Sequence, residues 1–442
     1  MIQTIYRTLF KAVNFNKKQW LYLTPVLMLL ALSSCKSVYK RKHHPHSTYK
    51  SMVINHTKSN RFGTGADNYQ SYFPLLKDKK IGVVTNPTGI VYYDSISMRA
   101  DSVLLKPNTI STRKIIHLVD FFKMNAIEVT RIYAPEHGFR GTADAGEHIV
   151  DGKDSKTGLP IISLYGDNRK PKPEQLEGID VLVFDIQDVG ARFYTYISTL
   201  HYIMEACAEN NILLLVLDRP NPNGNIIDGP VLEQEYTSFV GMHPIPLLHG
   251  MTIGEYAQMI NGENWLKEGI QCNLQVIACS AYKRDMEYHL PIKPSPNLPN
   301  DQAINLYASL CLFEGTNVSV GRGTEKQFQV YGSPYLPKSE FSFTPIPNFG
   351  AKDPLYNGIE CYGEDLTQIP KTNKLELKWL LKAYNETCER SKFFNPFFTK
   401  LAGTKKLQQQ IESGMNEEEI RKTWESGLEN FKEIRSNYLI YP

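Results

Sequence analysis

Apolar residues in this chain arrive in two rhythms. Short, nearly uninterrupted runs recur at Lys80–Thr85, Ile127–Tyr133, Ile161–Tyr165, Ile179–Asp185, Ile212–Leu217 and Leu274–Cys279. Runs of this length are too brief for helices, and the loss of alternation marks strands covered on both faces. Between them, apolar residues recur at helical spacing. Ile115, Leu118, Val119 and Phe122 mark one face, with Ser111 or Thr112 as N-cap, and Ile197, Leu200, Met204 and Cys207 mark a second. Thr252-Ile-Gly-Glu255 has the capping-box spacing before a helix reaching about Asn261, and Pro173–Gly178 reads as one turn closed by glycine. Strands alternating with helices predict an α/β fold with a mostly parallel, doubly wound sheet.

The rhythm changes at Pro291-Ile-Lys-Pro-Ser-Pro-Asn-Leu-Pro299, a stiff, proline-rich connector. Beyond it come a helical pattern from Ala303 to Phe313 and a helical end with Ile420, Trp424, Leu428 and Phe431 on one face. The expected organisation is a larger α/β domain over 62–285 and a smaller α+β domain over 286–442 that closes a cleft.

Charge alters the picture only at the N-terminus. The 49 basic and 46 acidic residues sum to +3, but eleven of the basic ones and no acidic one precede Phe62, so the body carries a net −8. A body of that sign is a poor match for phosphates, so no nucleic-acid partner is expected. Residues 1–35 combine a basic start, the apolar run Trp20–Leu32 and Leu32-Ser-Ser-Cys35. The run is short for a bilayer span, and it resembles a bacterial lipoprotein signal with Cys35 as the lipidated residue. Residues 36–61 then form a basic tether. The protein is expected in the periplasm, lipid-anchored to a bacterial membrane, the outer one for preference. The six later cysteines form no C-x-x-C pair and read mostly as buried thiols.

Three clusters carry candidate chemistry. The first is the loop after Tyr133, Ala134-Pro-Glu-His-Gly-Phe-Arg-Gly-Thr-Ala-Asp-Ala-Gly-Glu147, which holds Glu136, His137 and Arg140 at a strand end. The second, after the run ending at Asp185, contains Gln187, Asp188, Arg192, Tyr194 and Tyr196. The third, beyond the connector, contains Glu314, Asn317, Arg322 and Glu325. Ligands of open α/β sheets sit at the carboxyl ends of strands, so the first two clusters face one crevice and the third closes it. No G-x-S-x-G elbow, phosphate loop or G-x-G-x-x-G fingerprint is present, so no cofactor is expected. A zinc hydrolase would draw on His137, Asp185, Asp188 and His249, which lack helix-face ligand spacing. Paired carboxylates fit glycosidic cleavage, with Glu136 as acid or base and Asp185 or Asp188 as partner.

These motifs, with Asp218-Arg-Pro-Asn-Pro-Asn-Gly224, Ser295-Pro-Asn-Leu-Pro299, Phe313-Glu-Gly-Thr-Asn317, Gly321-Arg-Gly-Thr-Glu325 and Trp424-Glu-Ser-Gly-Leu428, resemble the exo-acting β-N-acetylmuramidases of the NamZ type. The resemblance runs from about Ile81 to the C-terminus. It implies a Rossmann-like domain, a smaller C-terminal domain, and release of N-acetylmuramic acid from the non-reducing end of peptidoglycan fragments in cell-wall recycling. It offers Arg140, Arg192 and Arg322 as partners for the lactyl carboxylate, and His137, Gln187, Tyr194, Glu314, Asn317 and Glu325 as further binding residues. The span between Asn86 and Ile115 is longer than the family's usual spacing. The rival readings are a non-catalytic lipoprotein that binds wall sugars and a metal-dependent hydrolase.

Overall fold

The computed structural model describes residues 51–54, 61–95, 112–140 and 151–442. The lipidation candidate Cys35, the signal segment, most of the tether, and Asp144 and Glu147 lie outside the described residues.

The six apolar runs supply six strands of an eight-stranded sheet. Its strands are β1 (Met52–Ile54), β2 (Ile81–Thr85), β5 (Val129–Ala134), β6 (Gly152–Lys153), β7 (Pro160–Ser163), β8 (Val181–Asp185), β9 (Leu213–Leu217) and β10 (Leu274–Ile277), in the order β1-β10-β9-β8-β2-β5-β7-β6. All pairings are parallel except β6 with β7. Period-two alternation divides each central strand between two cores. Ile81, Val83, Val181, Val183, Leu215 and Leu217 pack on one face with α1 (Tyr69–Leu76) and α2 (Leu118–Met124). Val84, Leu182, Phe184, Leu214 and Val216 pack on the other with α3 (Pro173–Leu176), α4 (Tyr196–Glu209) and α5 (Ile253–Gly262). That second core runs without a break into the C-terminal part, through Leu306, Phe313, Tyr331, Phe398 and Trp424. The C-terminal part carries a small antiparallel sheet, β11 (Val330–Ser333), β12 (Ser342–Phe343) and β13 (Cys361–Asp365). It ends in two short helices, Glu417–Lys422 and Glu425–Ser436, broken at Thr423–Trp424; the expected Ile420, Leu428 and Phe431 on the helices and Trp424 between them are buried.

Two local expectations fail. Thr112–His117 is not the start of a helix but strand β4, paired antiparallel with β3 (Ile90–Ser95), and Ile115 is 51% exposed. The helix begins at Leu118 instead, capped by His117, whose Nδ1 accepts the Val119 amide at 3.2 Å. Within the long span after Asn86, the described residues therefore form an antiparallel strand pair. Met52–Ile54, assigned to the tether, is the edge strand beside β10, where its backbone completes a parallel ladder. The five cysteines Cys207, Cys272, Cys279, Cys311 and Cys361 are buried free thiols, and Cys388 is exposed.

Chain order fixes where the crevice opens. From β2 the chain moves outward through β5 to β7, then returns to the other side of β2 for β8 and β9. The connections diverge between β2 and its neighbours, and the carboxyl ends of β5, β2 and β8 meet at that point.

Candidate active site

At the end of β5, Pro135 stops the strand and the Gly138 amide bonds back to the Pro135 carbonyl at 3.0 Å, closing a turn. The third residue of that turn, His137, has φ +71°, and Gly138 follows at φ +76°. A histidine in left-handed backbone is disfavoured by about 1 kcal/mol or more, and such strain persists where packing over-determines it. Here the turn holds the Glu136 side chain half-buried and the His137 side chain buried, both lining one pocket.

Glu136 is gripped from two sides. Thr195 Oγ1 donates to Glu136 Oε2 at 2.8 Å, and the Tyr165 phenol also bonds the carboxylate. Thr195 is the N-cap of α4, yet its side chain makes no capping bond. A hydroxyl that would ordinarily serve the helix is given to Glu136. The Tyr165 phenol is pushed up by burial and then by the Glu136 charge, so it remains a proton donor. Tyr194 and Tyr196 form the next wall, their phenols bonded to the Pro294 carbonyl at 2.8 and 3.2 Å. The proline-rich connector is thereby pinned to the pocket, which Ser295, Asn297 and Leu298 also line. Burial raises both phenols, with the Glu136 charge adding at Tyr196 and the Asp188 charge adding at both.

From the C-terminal part come Arg322, Tyr307 and Phe328. Arg322 stands between Gly321 and Gly323, at φ +77° and +80°, where a side chain at either glycine would strike backbone or Val330 and Pro354. Its Nε donates to Glu314 Oε1 at 2.6 Å, and its guanidinium lies 5.0 Å from the centre of the Phe328 ring. Phe328 has φ +54°, so a second non-glycine residue in left-handed backbone lines the pocket.

The other nominated residues do not join them. Asp185 is fully buried and bidentate to Arg219, with Nε to Oδ1 at 2.6 Å and Nη2 to Oδ2 at 2.9 Å, so it is a structural anion rather than a reacting carboxylate. Arg192 is fully buried and donates to the carbonyls of Pro230, Ile245, Leu401 and Ala402, which clamps the C-terminal part and leaves no face for a ligand. Its burial lowers its pKa to about 9. Gln187 donates to the carbonyls of Asp188 and Pro220. Arg140 is bidentate to Asp154 at 2.9 Å on both bonds, which pulls the Asp154 carboxyl well below its usual range against the burial that would raise it. Glu325 is exposed and does not line the Glu136 pocket. Asn317 does not line the pocket, and its buried amide atoms have no partner among the described residues.

Asp188 is an intermediate case. It is buried; Oδ2 accepts the Gly190 amide at 2.7 Å and lies 3.7 Å from His249 Nε2, while Oδ1 has no partner among the described residues. With Asp185 held by Arg219, no three His, Cys, Asp or Glu side chains converge among the described residues as a metal cage would require. Thr195, Tyr165, Tyr307 and Phe328 escaped the sequence reading. Tyr165 was accessible to it, because it ends one of the predicted strands.

The fold is shared with known proteins. The family model for the N-terminal part of the exo-β-N-acetylmuramidase NamZ matches residues 81–302, and that for the C-terminal part matches 305–441. A peptidoglycan β-N-acetylmuramidase NamZ from Bacillus subtilis is 39% identical over 87% of this chain and 92% of its own. A crystal structure of a DUF1343 family protein from Bacteroides fragilis superposes with a TM-score of 0.75 at 42% identity, over 86% of this chain and 99% of its own. A second from the same organism gives 0.70 at 29% identity, over 87% and 100%. The chain belongs to the exo-β-N-acetylmuramidase NamZ family of glycoside hydrolases.

Proposed function

We propose that this protein removes N-acetylmuramic acid from the non-reducing end of peptidoglycan fragments, with Glu136 as the acid-base group. The observation that carries the reading is the Glu136 carboxylate itself. It is half-buried at the sheet's switch point, set on a strained turn, held by the hydroxyls of Thr195 and Tyr165, and open to a pocket walled by tyrosines. A carboxyl held this way reaches a glycosidic oxygen in one orientation, protonates it as the bond breaks, and takes a proton from the incoming water afterwards. Asp188 acts as a positioning residue. It fixes the Gly190 turn, and its charge adds to the burial that keeps the phenols of Tyr194 and Tyr196 as neutral donors.

In this reading the chain is exported, lipidated at Cys35 and held on the outer membrane facing the periplasm, where it serves cell-wall turnover and recycling. The support is the order of basic start, apolar run and Leu32-Ser-Ser-Cys35.

The full chain in detergent, incubated with the disaccharide MurNAc-GlcNAc, is expected to release both free sugars and to do so equally with a chelator present. Binding without release would favour a non-catalytic sugar-binding lipoprotein. Release abolished by chelator would favour a metal-dependent hydrolase. Metabolic labelling with a fatty acid is expected to mark the wild type and not Cys35→Ala.

A further inference from the structure

The substrate of the proposed reaction differs from its neighbour in the polymer by one group. N-acetylmuramic acid carries a lactyl ether ending in a carboxylate, and N-acetylglucosamine does not. A pocket selective for the first needs a fixed cation within reach of the reacting centre, and the natural one is a guanidinium with its fork open.

Two of the three candidate arginines are ruled out by their bonds. Arg192 is enclosed by four backbone carbonyls. Arg140 holds Asp154 with Nε and Nη2 and does not line the pocket. Arg322 does line it, together with Glu136, and is the one arginine or lysine among the described lining residues. Its Nε is taken by Glu314, whose other oxygen accepts the Cys311 thiol at 3.5 Å, and its flat face rests near Phe328. Those contacts fix the plane of the guanidinium from one edge and one face. Among the described residues, neither terminal amino group takes a hydrogen-bond partner. The end-on edge with two parallel N–H groups is the edge that meets a carboxylate bidentately. The backbone supports the same end: Gly321, Gly323 and Phe328 all adopt left-handed conformations around this one side chain.

We propose that Arg322 binds the lactyl carboxylate and sets the preference of the Glu136 pocket for muramic acid over glucosamine, with Glu314 and Phe328 as its positioning residues. The proposal rests on the glycosidase reading above, and its test separates the two. Free N-acetylmuramic acid, its lactyl amide and N-acetylglucosamine are titrated calorimetrically into the full chain in detergent, as wild type, Arg322→Lys and Arg322→Met. Hydrolysis of the aryl β-glycosides of the same three sugars is followed on the same samples. Wild type is expected to favour the free lactyl acid over the other two by about ten- to a hundredfold, the range of a charge-assisted pair. Arg322→Met is expected to erase that preference by weakening the free lactyl acid far more than the amide or N-acetylglucosamine, and Arg322→Lys to keep part of it. Equal weakening toward all three sugars in the folded variants, or an unchanged preference, would overturn the assignment. Loss of the binding preference in a protein that hydrolyses none of the glycosides would leave Arg322 in place and remove the glycosidase reading instead.

Discussion

Two strand ends in this molecule carry nearly the same side chains and come to opposite uses. At the end of β5 stand a carboxylate, an imidazole and an arginine; at the end of β8 stand two carboxylates, an amide and an arginine. At β8 the charges are closed off, because Asp185 meets Arg219 in a fully buried bidentate pair and Arg192 is enclosed by carbonyls. At β5 the carboxylate of Glu136 meets hydroxyls rather than a guanidinium, and it stays open to the pocket. A buried ion pair with every bond made is structural. A carboxylate oriented by neutral donors keeps its proton chemistry available.

The largest effect that would sharpen this contrast is expected at Asp185. Asp185→Asn leaves the Arg219 cation buried without its anion, and a stability loss of about 3–5 kcal/mol is expected in chemical denaturation. Activity per folded molecule is expected to persist. An Asp185→Asn protein that melts like wild type but is inactive would reverse the roles of the two strand ends.

A third strand end extends the comparison. Asp218, after β9, is fully buried and accepts from Thr252, the Gly254 amide and the Tyr441 hydroxyl. Burial raises its pKa from 3.8 to about 6, with nearby Glu255 adding to the rise. The folded state thus binds this proton more tightly than the unfolded chain does. The resulting stabilisation is fully present below about pH 4 and is lost as pH rises through about 6, on the order of 2–3 kcal/mol. His117 opposes it: burial lowers its pKa to about 4, so its contribution is present above 6.5 and is lost as pH falls toward 4. The melting midpoint of wild type minus that of Asp218→Asn isolates the first group, and this difference is expected to shrink from pH 4 to pH 7. A flat difference would contradict the burial argument.

The smallest effect is expected at Arg140. Its pair joins a one-third exposed guanidinium to a buried Asp154 carboxylate that Thr157 also holds, so Arg140→Met is expected to cost about 1–2 kcal/mol and to leave KM for the disaccharide unchanged. A raised KM would bring Arg140 into the pocket.

Much of the sheet was legible because strands buried on both faces leave uninterrupted apolar runs, and Thr252-Ile-Gly-Glu255 formed the capping box its spacing predicted. The strand at Thr112–His117 was not legible, since Ile115, Leu118, Val119 and Phe122 mimic a helical face across a strand-to-helix junction. The nomination of Glu136 needed only a strand end and a glycine-rich loop. Separating Arg322 from Arg140 and Arg192 required partners that lie far away in the chain, such as Leu401 and Ala402 for Arg192. Composition assigns a charge to each cluster, but only three-dimensional pairing decides which charge is left for a ligand.

The most direct test is Glu136→Gln, which keeps the shape and the Thr195 contact and removes the titrating group. Release of free N-acetylmuramic acid from MurNAc-GlcNAc is expected to fall by about 10²–10⁴-fold with an unchanged melting midpoint. Undiminished release by a folded Glu136→Gln protein would contradict the assignment of the acid-base group to the end of β5.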